Sequence, residues 1–142
     1  MPGVRRLLED ARSLGLRRAV ASSSSSGWVE GWLQRHGILH LFDAVATRDQ
    51  VSRVKPDPEL FLLAAARLGV PAPGCVVFED SANGMQAALA AGMRCVAVPN
   101  ALTIRTPRPR VDLEIGSLAE LPLGEILRAL EAAPPVAGRE PA

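Results

Sequence analysis

Two adjacent carboxylates, Glu79 and Asp80, directly follow the apolar run Val76-Val77-Phe78 and precede a small polar turn, Ser81-Ala82-Asn83-Gly84. An apolar run that stops at such a turn reads as a buried strand leading into a helix. The two acids then fall at the carboxyl end of a strand, the edge where open α/β sheets bind ligands. Packing a core gives no reason for two acids there. A hard divalent cation does, because Mg²⁺ prefers carboxylate oxygens and commonly shares them with substrate phosphate. Phosphoryl transfer also needs a fixed positive charge and a donor for a phosphate oxygen. Lys55, the only lysine in the chain, can supply the charge, and the Pro56 that follows it forces extended backbone on it. Ser22, with Ser23 behind it in a run of five serines, offers a hydroxyl and backbone N–H groups. Taken singly, each has a plainer reading: a serine turn, a solvated lysine, or acids complementing a helix dipole. Taken jointly, their order after successive predicted strands points to one sheet edge that carries a site.

The elements that must position these residues follow from apolar periodicity and its stops. Val4, Leu7, Leu8 and Ala11 repeat at helical spacing, with Gly15 as a stop. Leu16 to Ala21 reads as a strand, Trp28 to Arg35 as a helix closed by Gly37, and Ala44 to Thr47 as a second strand. Asp57 is the expected cap of the next helix, with Pro58 in its first turn; that helix runs through Leu68 to a stop at Gly69. Cys75 to Phe78 predicts a third strand, Gly84 to Ala91 a helix ended by Gly92, and Cys95 to Val98 a fourth strand. Ser117 and Glu120 have capping-box spacing ahead of Leu123, Ile126, Leu127 and Leu130. Strands alternating with helices predict an α/β fold, a Rossmann-like parallel sheet with helices on both faces, over residues 1–133. The Pro/Gly-rich tail over 134–142 is expected to be disordered.

Composition excludes several classes of function. The 142 residues carry 16 basic and 15 acidic side chains, and the arginines are scattered apart from Arg105, Arg108 and Arg110. Those three sit among Pro107 and Pro109 and read as an exposed loop, so no nucleic-acid footprint is expected. The longest apolar run, Leu60 to Ala66, is far short of the roughly 20 residues of a membrane span. Arg5 and Arg6 lead into an amphipathic pattern, so no signal peptide is expected. Cys75 and Cys95 each open an apolar run, and a reduced, cytoplasmic chain is the default reading.

The motifs together resemble the haloacid dehalogenase superfamily. Ala21-Ser22-Ser23-Ser24 with Trp28 downstream, Lys55-Pro56-Asp57-Pro58-Glu59-Leu60-Phe61 and Phe78-Glu79-Asp80-Ser81-Ala82-Asn83-Gly84 are similar to the second, third and fourth motifs of its phosphatase and β-phosphoglucomutase-like branch. The resemblance runs from about Met1 to Leu123. It implies hydrolysis or mutase chemistry on a small phosphorylated metabolite, by way of an aspartyl-phosphate and with Mg²⁺ as cofactor. On the same resemblance, Ser22 and Ser23 would hold phosphate oxygens, Lys55 would pair with phosphate and nucleophile, and Asp80 with Glu79 would hold the metal.

The family's first motif is a strand ending in Asp-x-Asp, whose leading Asp is the nucleophile. The aspartates here are at 10, 43, 49, 57, 80 and 112, and none has another Asp two positions later. Asp43 precedes its predicted strand and reads as a solvated strand-start residue. The cap domain that usually follows the first motif is also unmatched. The expectation is therefore a carboxyl-terminal part of a phosphatase-like protein, inactive alone by the usual mechanism. The missing strand would lie centrally, between Leu16–Ala21 and Cys75–Phe78. Its loss predicts a marginal or associating monomer unless another chain supplies a strand. A non-catalytic phosphate- or partner-binding relative remains an open alternative. A receiver-type signalling domain fits poorly, because Lys55 precedes the acid pair where receivers place it last. A dinucleotide-binding module lacks its G-x-G-x-x-G.

Overall fold

The computed structural model describes residues 2–136. Val4–Ser13 forms α1, and the chain leaves it through Gly15 at φ 72°. There the N–H groups of Gly15 and Leu16 return to the carbonyls of Arg12 and Ala11, the pairing that closes a helix on a left-handed residue. Leu16 is thus still occupied with ending the helix, and the first strand begins later than its apolar run suggests. It is Ala19–Ser22, β1, rather than residues 16–21. Ser26–Arg35 is α2, Ala44–Thr47 is β2, and Glu59–Leu68 is α3, which stops at Gly69 at φ 67°. Val76–Glu79 is β3, Ala82–Ala90 is α4, Arg94–Ala97 is β4 and Leu123–Ala132 is α5. A two-residue strand, Leu113–Glu114, is β5; it is too short to leave a pattern in the sequence.

Two capping assignments shift. Asp57 does cap α3, through its Oδ1 and the Glu59 amide at 3.0 Å, but Pro58 stands between it and the first helical residue. Ser117 and Glu120 do not start a helix. Ser117 Oγ accepts from Ala119 N, Glu120 Oε2 accepts from Gly116 N, and α5 begins only after Pro122. The pair closes a turn, because its hydrophobic continuation begins too late for a box at that position.

All strand pairings are parallel, and they form two separate ladders. β1 pairs with β2 from Ala19 opposite Ala44 to Ser22 opposite Thr47. β4 pairs with β3 on one side and with β5 on the other. Among the described residues no backbone hydrogen bond joins β1 to β3. Both ladders are sandwiched by helices, as alternate side chains show. Cys95 and Ala97 pack with Phe61 of α3 and Met85 and Ala88 of α4, while Val96 packs with Ile126 and Leu130 of α5. In the other ladder Val20 and Val45 face Leu8 of α1 and Val29 of α2, whereas Ala21 and Ala46 face Leu60 and Ala64 of α3. Ala21 also packs against the β3–β4 cluster, so α3 and its neighbours hold the two ladders together where strand pairing does not.

The ladder edges are less covered than their centre. All four residues of β1 are only half-buried, and so are Val76 and Phe78 of β3, while three of the four β4 residues are buried. Asp43 precedes β2, as read from the sequence, but it is not simply solvated. It receives the Arg18 amide at 2.8 Å and pairs with the Arg18 guanidinium at 3.2 Å. Arg108 pairs with Glu114, Arg105 and Arg110 are exposed, and among the described residues no helix is long and apolar enough to cross a membrane. The tail expected to be disordered lies mostly outside the described residues. Of its described start, over 134–136, the Val136 amide reaches Asp112 Oδ1 at 3.2 Å.

Candidate active site

Ser22 is the last residue of β1 and Glu79 the last of β3, with Asp80 one step beyond. The two strands lie in different sheets, and their carboxyl ends are shown to be neighbours by the side chain that touches both. Lys55, in the loop between β2 and α3, ties them together. Its Nζ donates to the Ala21 carbonyl at 2.9 Å and forms an ion pair with Glu79 Oε1. The Phe61 ring lies 4.7 Å from the same ammonium, close enough for a cation–π contact. The Lys55–Pro56 peptide is cis. Lys55 is therefore no solvated surface charge: it is 13% exposed, and its ammonium spans the ends of the two unjoined ladders.

The two acids do different work. Glu79 is buried, with Oε1 on Lys55 and Oε2 accepting from the Ser81 hydroxyl at 3.2 Å and from the Ser81 amide at 3.4 Å. Ser81 in turn caps α4, accepting from Gly84 N at 3.1 Å. Gly84 has to be glycine, because a Cβ there would overlap the carboxylate carbon of Glu79 and both its oxygens. Asp80 is half-buried, and its Oδ2 accepts from Asn100 Nδ2 at 2.9 Å. No described Lys, Arg or His pairs with it. Of the two carboxylates, only that of Asp80 is left open by the protein.

Ser22 Oγ accepts from the Ser24 amide at 3.1 Å, a local turn that holds its hydroxyl at the strand end. Ser23 is half-buried beside it. Further along the run, the Ser26 amide donates to Asp49 at 2.8 Å and the Ser26 hydroxyl meets buried Thr47 at 2.5 Å. The first amide of α2 is thus already occupied by a carboxylate. Sequence reading missed Asn100 and Phe61. Asn100 follows β4 in a stretch with no motif of its own, and Phe61 looks like an ordinary core position until Lys55 is seen above it.

Mg²⁺ takes one or two carboxylates and keeps several waters, and the open Asp80 carboxylate at a strand end fits that demand. The described residues contain no group of three or more His, Cys, Asp or Glu that could hold a metal by themselves.

The profile of the haloacid dehalogenase-like hydrolases matches residues 1–98. YhcW of Bacillus subtilis (strain 168), classed by name as a phosphatase, is 46% identical over 126 residues, which cover 89% of this chain and 57% of that protein. Hexitol phosphatase B of Escherichia coli (strain K12) is 37% identical over 128 residues, covering 89% of this chain and 58% of the relative. Among solved structures, CbbY from Rhodobacter sphaeroides in complex with phosphate superposes with a TM-score of 0.79 at 36% identity, over 84% of this chain and 55% of that one. β-Phosphoglucomutase from Clostridium difficile gives a TM-score of 0.81 at 28% identity, over 93% and 56%. The chain thus spans little more than half the length of these relatives. By the family match and by this agreement in fold, it belongs to the haloacid dehalogenase-like hydrolases.

Proposed function

We propose that the chain carries the phosphate-anchoring and metal-holding part of a Mg²⁺-dependent phosphohydrolase or phosphomutase that acts on a small phosphorylated metabolite. The observation that supports this most is the Lys55 ammonium, held between the ends of β1 and β3 beside an open Asp80 carboxylate. In this reading Asp80 holds the cation, and Glu79 holds Lys55 in place. Lys55 turns to a phosphate oxygen when one enters, while the Ser22 hydroxyl and the Ser23 amide donate to the others. Bound Mg²⁺ would neutralise charge between substrate phosphate and an attacking carboxylate. That carboxylate, the nucleophile for an aspartyl-phosphate, is not among the 142 residues, since no Asp-x-Asp occurs in them. A strand inserted between β1 and β3, from another chain, would supply both the missing pairing and the nucleophile. Cys75 and Cys95 each stand at an apolar strand as small hydrophobic residues, which supports a reducing compartment such as the cytoplasm.

The second reading, a phosphate- or partner-binding relative without turnover, is favoured by the same lack of Asp-x-Asp. The test is calorimetry of the chain with orthophosphate and Mg²⁺, alongside a phosphatase assay on small sugar phosphates. Binding that Lys55→Met and Asp80→Asn abolish, without turnover, is the expected result. Mg²⁺-dependent turnover by the purified chain, lost in Asp80→Ala, would refute inactivity in isolation. Unaltered binding in both variants would refute the site.

A further inference from the structure

We infer that Asn100 is the positioning residue for Asp80, fixing which oxygen of that carboxylate faces a cation. The inference rests on the reading of Asp80 as the cation-holding residue. Asn100 lies just past β4, and every polar atom it has is engaged. Its side-chain Oδ1 accepts from Leu102 N at 2.8 Å and Thr103 N at 3.0 Å; its amide N–H donates to Thr103 Oγ1 at 3.0 Å; its carbonyl accepts from Ile104 N at 2.9 Å. Two backbone N–H donors on Oδ1 fix which end of the side-chain amide is oxygen, so the NH₂ group must point the other way. It points at Asp80 Oδ2, 2.9 Å away. The base of the turn is anchored as well: Val98 N donates to the Glu79 carbonyl at 2.8 Å, so the start of the loop and the end of β3 move together.

A neutral donor on one oxygen leaves the carboxylate its full charge and removes its rotational freedom. Asp80 Oδ1 is then presented in a single orientation, which is what an outer partner does for a metal-binding carboxylate. The surface position and high exposure of the neighbouring Leu102, at 89%, make the loop look like ordinary solvent-facing chain. Its internal bonding shows otherwise.

The test is Mn²⁺ affinity, followed by the free-ion electron paramagnetic resonance signal with protein raised to the range of the dissociation constant that a one-carboxylate site allows, in the wild-type chain and three variants. Asp80→Asn should abolish binding. Asn100→Ala should raise the dissociation constant about tenfold, the lower end of what losing an outer-shell partner costs. Thr103→Val, which loosens the same turn but keeps the NH₂ group on Asp80, should stay within about twofold. A second readout needs no variant: Mn²⁺ should broaden the Asn100 side-chain amide signals in a nitrogen–proton NMR spectrum well before those of Gln34, near the far end of α2. Affinity unchanged in Asn100→Ala, an equal loss in Thr103→Val, or no selective broadening would each overturn the inference while leaving the Asp80 reading intact. No binding by wild type, or full binding by Asp80→Asn, would overturn that reading and the inference with it.

Discussion

Gly84→Ala should destabilise this protein although it puts the best helix former into a helix. In an ordinary helix interior the exchange gains about 1 kcal/mol, because alanine loses less backbone freedom on folding. Here the new methyl would occupy the space of the Glu79 carboxylate. Glu79 cannot yield cheaply, since it is buried and must leave both Lys55 and Ser81 to do so. Separating the partners of a buried ion pair costs about 3–5 kcal/mol, and the remaining exposure of Lys55 argues for the lower end. Subtracting the helix gain leaves a loss of about 2 kcal/mol, or a fall of several degrees in the thermal midpoint for a chain of this size. The informative assay is a double-mutant cycle with Glu79→Ala, by urea or thermal unfolding at low protein concentration. With the carboxylate gone, Gly84→Ala should become neutral or stabilising by up to about 1 kcal/mol. Equal destabilisation in both backgrounds would refute the reasoning, and so would a Gly84→Ala protein as stable as wild type.

Three further outcomes are expected. The Asp112 side chain is fully buried; it pairs with Arg94 at 3.1 Å and accepts the Cys95 amide at 2.7 Å, while the Arg94 guanidinium also donates to the Leu130 and Ala133 carbonyls at the end of α5. Asp112→Ala should cost about 3 kcal/mol and speed amide exchange in α5 before the rest, and uniform exchange would count against it. Burial raises the Cys75 thiol above its ordinary value of 9.0, so the folded chain keeps its proton after the unfolded chain begins to lose it. Stability from this group is therefore full below pH 9 and declines above it; the wild-type thermal midpoint should fall more than that of Cys75→Ala between pH 8 and 10, and parallel falls would contradict this. The unjoined edges of β1 and β3 should drive association, so light scattering should rise with protein concentration. A reversible, concentration-independent thermal transition would speak against open edges.

Much of the layout of the candidate site was legible in the chain. Ser22, Glu79 and Asp80 stand at or just beyond apolar runs that read as strands, and Lys55 stands in the loop after β2, so each was placed near a strand's carboxyl end by the sequence, while their meeting was decided by packing between the two sheets. Strands of four residues and helices ended by glycine are local devices, and β2 and α3 lie close to where periodicity puts them. Errors arose where one residue serves two elements. Leu16 finishes α1 instead of starting β1, and Ser117 and Glu120 close a turn where no helix yet follows.

The sequence by itself determined the α/β alternation, the edge that carries the acids, and the lack of an Asp-x-Asp. Only the tertiary structure decided how the two acids divide, because that depends on which oxygens are already engaged by partners distant in sequence. Lys55 comes 24 residues before Glu79, and Asn100 comes 20 after Asp80. Neither separation leaves a periodic signal. The same holds for the two unjoined ladders: β1 to β4 are each written in their own four residues, but which edges meet is fixed by the helices that pack across them.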